Sequence, residues 1–248
     1  MSKTIIIDPL SCVSLHLECY LQGARIGFGT GFVVKKNQTN YLITNWHVVT
    51  GRNPNDGQPL ARDGLTDPDV IAIWYHATQL GHWVRKDERL LHNTTRAPLW
   101  REHSRGREID VVALPLTGHE DTKVYPLDLG LSDTDLIISP SEPVSIVGFP
   151  YGIAAAGKFP IWKTGNVASD IGLDYDRKPV FLIDATTKPG MSGSPVFARR
   201  KGFRQTSTGW GIGGGDSIRF LGIYSGRILK DSDIGMVWKP KVVSDITS

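Results

Sequence analysis

The chain of 248 residues has two cysteines, Cys12 and Cys19, and both fall in its first apolar segment. On an extended strand, residues at that spacing stand roughly 20 Å apart, beyond disulfide reach. Free thiols follow, and with them a reducing, cytoplasmic setting. Long apolar runs are also missing. Ile5-Ile6-Ile7 stops at Asp8-Pro9, too soon for the core of a signal peptide, and nothing approaches the length that crosses a bilayer. Neither charge sign dominates: 28 basic against 25 acidic residues leave a net +3, which argues for no dedicated nucleic-acid or membrane surface. His76, His82, His92 and His103 lack the short paired spacings of a zinc site, so neither metal nor cofactor is expected. The glycines between 23 and 31 precede no Gly-Lys-Ser/Thr and no helical signal, which excludes a phosphate loop. Nor is there a sustained helical period between 10 and 235.

What remains is a chain of short apolar runs punctuated by turns. With 27 glycines and 15 prolines, it reads as almost all β, with a short helix expected only at 241–246. Val13, Leu15 and Leu17 alternate with Ser14, His16 and Glu18, which predicts a strand with His16 toward solvent. Cys12 and Cys19 have neither a helix N-terminus nor an adjacent base, so both belong to the core. A polar, proline-marked stretch after Leu116 predicts the crossing between two halves, 1–120 and 121–248. Glycines 209, 211, 213, 214 and 215, with Trp210 among them, read as a flexible loop.

Three stretches carry chemistry. Lys188-Pro189-Gly190-Met191-Ser192-Gly193-Ser194-Pro195-Val196 sets a serine on a tight turn between apolar runs. A serine hydroxyl becomes a useful nucleophile only when a base takes its proton and N–H groups receive the developing charge. Tyr41-Leu42-Ile43-Thr44-Asn45-Trp46-His47-Val48-Val49 reads as a buried strand with a histidine near its end, and Glu108-Ile109-Asp110-Val111-Val112-Ala113-Leu114 opens another strand with an aspartate. Glu108 is the rival acid on the same face, but the shorter side chain at the mouth of the apolar run fits better. The order His47, Asp110, Ser192 excludes an α/β-hydrolase, because all seven histidines precede the serine. The subtilisin order has Asp8 available but lacks the parallel α/β pattern.

In these three motifs the chain resembles the chymotrypsin-like serine peptidases, and most of all the short bacterial trypsin-like peptidase domains that include the high-temperature-requirement proteases. Gly29-Thr30-Gly31-Phe32-Val33-Val34 and Val144-Ser145-Ile146-Val147-Gly148-Phe149-Pro150 also resemble strands of that family. The resemblance implies two packed six-stranded antiparallel β-barrels, with His47 and Asp110 on the first and Ser192 on the second. It implies a serine endopeptidase acting on protein or peptide, with the backbone N–H groups of Gly190 and Ser192 as oxyanion donors. By the same resemblance Thr186 stands at the floor of the primary pocket and Tyr224-Ser225-Gly226 on its wall, with Arg227 beside them. A pocket without a carboxylate favours a small or apolar side chain. Met191 replaces the aspartate that pairs with a new terminus in zymogen-derived members, so any control rests on loops or on a regulatory partner protein. Two other readings remain: a catalytically silent member of the fold that binds a peptide or partner, and a nucleic-acid binder working through the basic stretch 85–107.

Overall fold

A computed structural model describes residues 5–119, 121–207, 209–229 and 231–248, with backbone alone at 203, 204 and 210–214. In chain order its strands are β1 (Ser14–Leu21), β2 (Ala24–Lys36), β3 (Thr39–Thr44), β4 (Val70–His76), β5 (Trp83–Arg89), β6 (Arg101–Glu102) and β7 (Val112–Pro115), followed by β8 (Pro143–Gly148), β9 (Ile161–Val167), β10 (Val180–Asp184), β11 (Pro195–Thr206), β12 (Gly209–Arg227) and β13 (Ile234–Trp238). Among the described residues there are also two short α-helices, α1 (Trp46–Thr50) and α2 (Lys241–Thr247), and four single-turn 3-10 helices. The first seven strands form one antiparallel sheet in the order β5-β4-β1-β2-β3-β7-β6. The last six run β10-β13-β12-β11-β8-β9, and β9 pairs back onto β10 to close a barrel.

The expectation of two six-stranded barrels is therefore corrected in the first half. That half is a seven-stranded sheet, because the two-residue β6 adds to the outer side of β7. The 209–215 stretch is not a loop. Its backbone pairs with β11 from Thr206↔Gly209 to Gly202↔Gly213, and the ladder resumes at Lys201↔Asp216. The expected role of the Trp210 side chain lies outside the described residues.

Runs such as Phe32-Val33-Val34 and Tyr41-Leu42-Ile43 are buried on both faces, which explains their unbroken apolar character. Val33, Leu42, Val112 and Leu114 point into a core private to the first sheet. Their neighbours Phe32, Val34, Ile43 and Ala113 point the other way, against Val147, Phe197, Phe220 and Trp238 of the second half. Val242, Val243 and Ile246 of α2 seal this shared core. A third cluster, including Ile146, Phe181, Met191 and Val196, fills the barrel.

His16 departs from its expected place. It is 3% exposed, and its ring lies 5.0 Å from that of Phe149. The polar face of β1 is covered by the second half and not by water: Ser14 Oγ donates to the Val147 carbonyl at 2.7 Å, and His16 Nδ1 lies 3.0 Å from Lys158 Nζ. Alternation identified two faces, but a second layer on the polar face leaves no mark in the strand's own pattern.

Candidate active site

His47 sits on α1 and not on the strand before it. β3 ends at Thr44, the chain turns at Asn45, and five helical residues stop at Gly51, whose φ is 68°. The side chain of Asn45 donates to the Asp110 carbonyl at 2.6 Å and ties this corner to the segment before β7. Asp110 is 2% exposed and its carboxylate receives three donors. The His47 amide reaches Oδ1 at 2.9 Å, His47 Nδ1 lies 2.7 Å from Oδ2, and Ser225 Oγ donates to Oδ2 at 2.5 Å. Beside an ionised carboxylate, Nδ1 carries the ring proton, which leaves Nε2 as the acceptor. Glu108, the rival acid, is exposed and pairs with Arg105.

Ser192 lies in the loop between β10 and β11, and its main chain is held almost atom by atom. The carbonyl of Pro189 accepts from the Tyr151 amide at 2.6 Å, that of Gly190 from the Thr30 hydroxyl at 2.8 Å, and that of Ser192 from the Thr30 amide at 2.9 Å. Gly193 donates to the Tyr224 carbonyl at 2.8 Å, and the Tyr224 amide donates to Ser194 at 2.9 Å. Only glycine fits at 190 and 193. Their φ values are 94° and 85°, and an added Cβ would stand 2.4 Å from the Phe149 carbonyl oxygen and 1.9 Å from that of Thr30. Met191 is fully buried in the barrel core, so apolar packing anchors the loop where an ion pair would otherwise be needed.

This tethering fixes the amides. In a planar trans peptide the C=O and N–H point in opposite directions, so binding the Pro189 carbonyl to Tyr151 turns the Gly190 N–H away from it. Among the described residues, neither the Gly190 nor the Ser192 amide has an acceptor within the protein. Ser192 Oγ donates to the Ser225 carbonyl at 2.9 Å. The hydroxyl and His47 line one cavity of about 410 Å³, together with Phe28, Val48, Pro189 and Gly190. Cys19 also lines it. Its thiol donates to the Val48 carbonyl at 3.2 Å, and burial pushes its pKa up to about 12, so it behaves as a packed apolar group.

The residues expected to form the primary pocket do not converge on this cavity. Thr186 is exposed. Its neighbour Thr187 is buried and shares a hydrogen bond with the Tyr224 hydroxyl, and burial raises the pKa of that phenol. Ser225 is engaged with Asp110, and Gly226 is half-buried. Sequence reasoning missed Thr30, Asn45 and Tyr151 as parts of the site. The signal for Thr30 was a hydroxyl between two glycines in an otherwise apolar strand. Tyr151 offered none, because it acts through its backbone.

A model of the trypsin-like peptidase domain matches residues 29–203. The chain belongs to the trypsin-like peptidase family. No curated protein matches it in sequence. Among solved structures it is similar to the serine endoprotease from Yersinia pestis, with 14% identity and a TM-score of 0.53 over 97% of this chain and 65% of that one. It is also similar to the protease Anisep from Arthrobacter nicotinovorans, with 13% identity and a TM-score of 0.52 over 95% and 93% of the two chains. At such identities the likeness is one of fold, and this family member spans just under two thirds of the Yersinia chain. Among the described residues no helix is long and apolar enough to cross a membrane, and no group of three or more His, Cys, Asp or Glu is clustered as a metal site.

Proposed function

We propose that this chain is a serine endopeptidase that cleaves peptide bonds through an acyl-enzyme, with His47, Asp110 and Ser192 as its triad. The observation that carries the reading is the buried Asp110 carboxylate 2.7 Å from His47 Nδ1, with His47 and Ser192 facing one cavity beneath two unengaged amides. Rotation about the Ser192 Cα–Cβ bond takes Oγ from the Ser225 carbonyl toward His47 Nε2. The imidazole then accepts the hydroxyl proton as Oγ attacks, and the Gly190 and Ser192 amides receive the carbonyl oxygen. Nε2 returns the proton to the leaving amine, and the same steps with water release the acyl group. Asp110 orients the ring and balances its transient positive charge. The lack of a carboxylate at Thr186 supports a small or apolar side chain in the primary pocket. Two buried, unbridged thiols support a reducing, cytoplasmic setting.

The second reading is a silent member of the fold that binds a peptide or a regulatory partner. It draws on the hydroxyl of Ser192 being given to Ser225 and not to His47. A fluorophosphonate probe separates the two. Labelling of the wild type that disappears in Ser192→Ala supports the peptidase, and no labelling at neutral or mildly alkaline pH favours the binder. Digestion of a peptide library, read by mass spectrometry, then reports the pocket preference.

A further inference from the structure

The groove has a second flank, on the β12 side. An inner recess of about 210 Å³ reaches Asp110 and Ser225 and continues past Arg227 and Tyr175. It opens into an outer cleft of about 550 Å³ bordered by Arg105, Arg107, Arg177 and Lys178. The two share Pro54, Asn55, Glu108, Asp176 and Lys178, so they form one depression that begins at the proposed triad.

Its lining gathers several cations on one concave wall. Several arginines elsewhere have carboxylates: Arg52 pairs with Asp67, Arg85 with Asp87, Arg199 with Asp8 and Arg200 with Glu142. Around this depression Arg107, Arg177, Lys178 and Arg227 make no ion pair among the described residues. Of the carboxylates that line it, Glu108 is held by Arg105 at 3.2 Å and Asp110 by His47 and Ser225. Only Asp176 is left to set against four cations. Like charges gathered on one concave wall repel each other and raise the local concentration of anions.

The backbone adds an independent observation. Tyr175 and Lys178 close a two-residue turn, in which the Lys178 amide donates to the Tyr175 carbonyl at 3.0 Å. Both central residues, Asp176 and Arg177, lie in the left-handed region, with φ of 52° and 57°. Asn-Gly is the unstrained choice for such a turn. Here an arginine occupies the position that glycine fills most easily, on the rim of the cleft, and strained non-glycine residues of this kind cluster at ligand sites.

We propose that this depression binds acidic side chains of the polypeptide whose scissile bond lies at Ser192, so that the substrate class is peptide carrying Asp or Glu on the β12 flank of the cut. This rests on the peptidase reading above. Arg107 and Arg177 present planar forks suited to carboxylates. The wall is open to water, so the attraction weakens as salt rises. A nucleic acid fits less well, because the outer cleft offers no aromatic face and the inner recess exposes one, Tyr175, short of the series on which successive bases stack.

The test uses the full chain carrying Ser192→Ala, with fluorescein-labelled peptides that differ only in Glu against Gln. Fluorescence anisotropy should show the acidic peptide binding about tenfold more tightly at low salt, with the preference lost in Arg107→Glu/Arg177→Glu and reduced in Arg107→Gln/Arg177→Gln. Circular dichroism confirms that each variant folds. Equal binding of both peptides overturns the inference, as does a preference unchanged in the variants. A labelled single-stranded oligonucleotide that outcompetes the acidic peptide, and loses binding in the same variants, reassigns the cleft to nucleic acid and overturns it too. Fluorophosphonate labelling of the wild type reports separately on catalysis. Labelling without acidic preference leaves the peptidase reading standing and removes this one. Acidic preference without labelling removes the peptidase reading, and with it the scissile bond, and leaves the depression a binding site for acidic peptide alone.

Discussion

The Tyr151 amide donates to the Pro189 carbonyl at 2.6 Å, and so the loop after β8 decides which way the peptide before Gly190 faces. Gly190→Ala should break this arrangement. The added methyl would meet the Phe149 carbonyl oxygen and the Phe28 ring, at a φ of 94° that alanine resists. The expected outcome is a folded protein whose fluorophosphonate labelling rate falls about a hundredfold or more, the usual cost of one misplaced oxyanion donor. Labelling kinetics beside near-UV circular dichroism check it, and an unchanged rate would remove the Gly190 amide from the mechanism.

Thr30 should matter as much to stability as to reactivity. It is fully buried, its hydroxyl donates to Gly190 and accepts from the Phe149 amide at 3.1 Å, and its own amide holds Ser192. Thr30→Val leaves a carbonyl and an amide without partners in the interface, at a cost of about 1–3 kcal/mol in unfolding free energy. Thr30→Ser keeps the hydroxyl and should recover most of the labelling rate, which a purely volumetric role would not allow. Urea unfolding with parallel labelling of both variants distinguishes the two.

How far the residues announced this arrangement differs from part to part. Buried runs, glycine spacing and the order His47, Asp110, Ser192 depend on local pattern, and they were legible because each motif is written in a few consecutive residues, whereas the groups that hold its backbone, such as Thr30 for Gly190, lie far along the chain. The seventh strand was not legible, because two residues, Arg101 and Glu102, give no periodicity to read. The position of His16 was hidden because burial on the second face of β1 is conferred by β8 and the loop beyond it, far along the chain. The exposure of Thr186 was not legible because a fixed offset from the serine says nothing about which of two adjacent threonines turns inward, and it is Thr187 that meets Tyr224.

Ser225 supplies the third donor to Asp110, so its removal should tell orientation apart from framework. Ser225→Ala keeps the carbonyl that Ser192 uses and both bonds from His47 while deleting the hydroxyl on Oδ2. A buried carboxylate that loses one of three donors costs about 1–3 kcal/mol in stability. The labelling rate should fall by about tenfold, far less than for Ser192→Ala, because the remaining two bonds still hold the ring. A loss as complete as that of Ser192→Ala would show that the geometry of Asp110 depends on this hydroxyl alone.

Acid should loosen the contact between the halves at His16. Burial lowers the pKa of its ring to about 4, with Lys158 adding to the effect, Glu18 opposing it and Arg25 adding a little more. The ring is ordinary in the unfolded chain, near 6.5, so the folded state favours the neutral form. The stabilisation is therefore complete above 6.5 and is lost as the pH falls toward 4. For a shift of this size the loss is about 3 kcal/mol. In His16→Gln this contribution to the pH dependence should vanish, while the carboxylates that titrate over the same range remain common to both proteins. The difference between the two unfolding free energies should be flat above neutrality and change steadily between 6.5 and 4. Because the ring packs on Phe149, next to the loop that holds Pro189, the ratio of labelling in the wild type to labelling in His16→Gln should fall over the same interval. Parallel curves for the two proteins would mean that the ring is hydrated, or already charged, in the folded state.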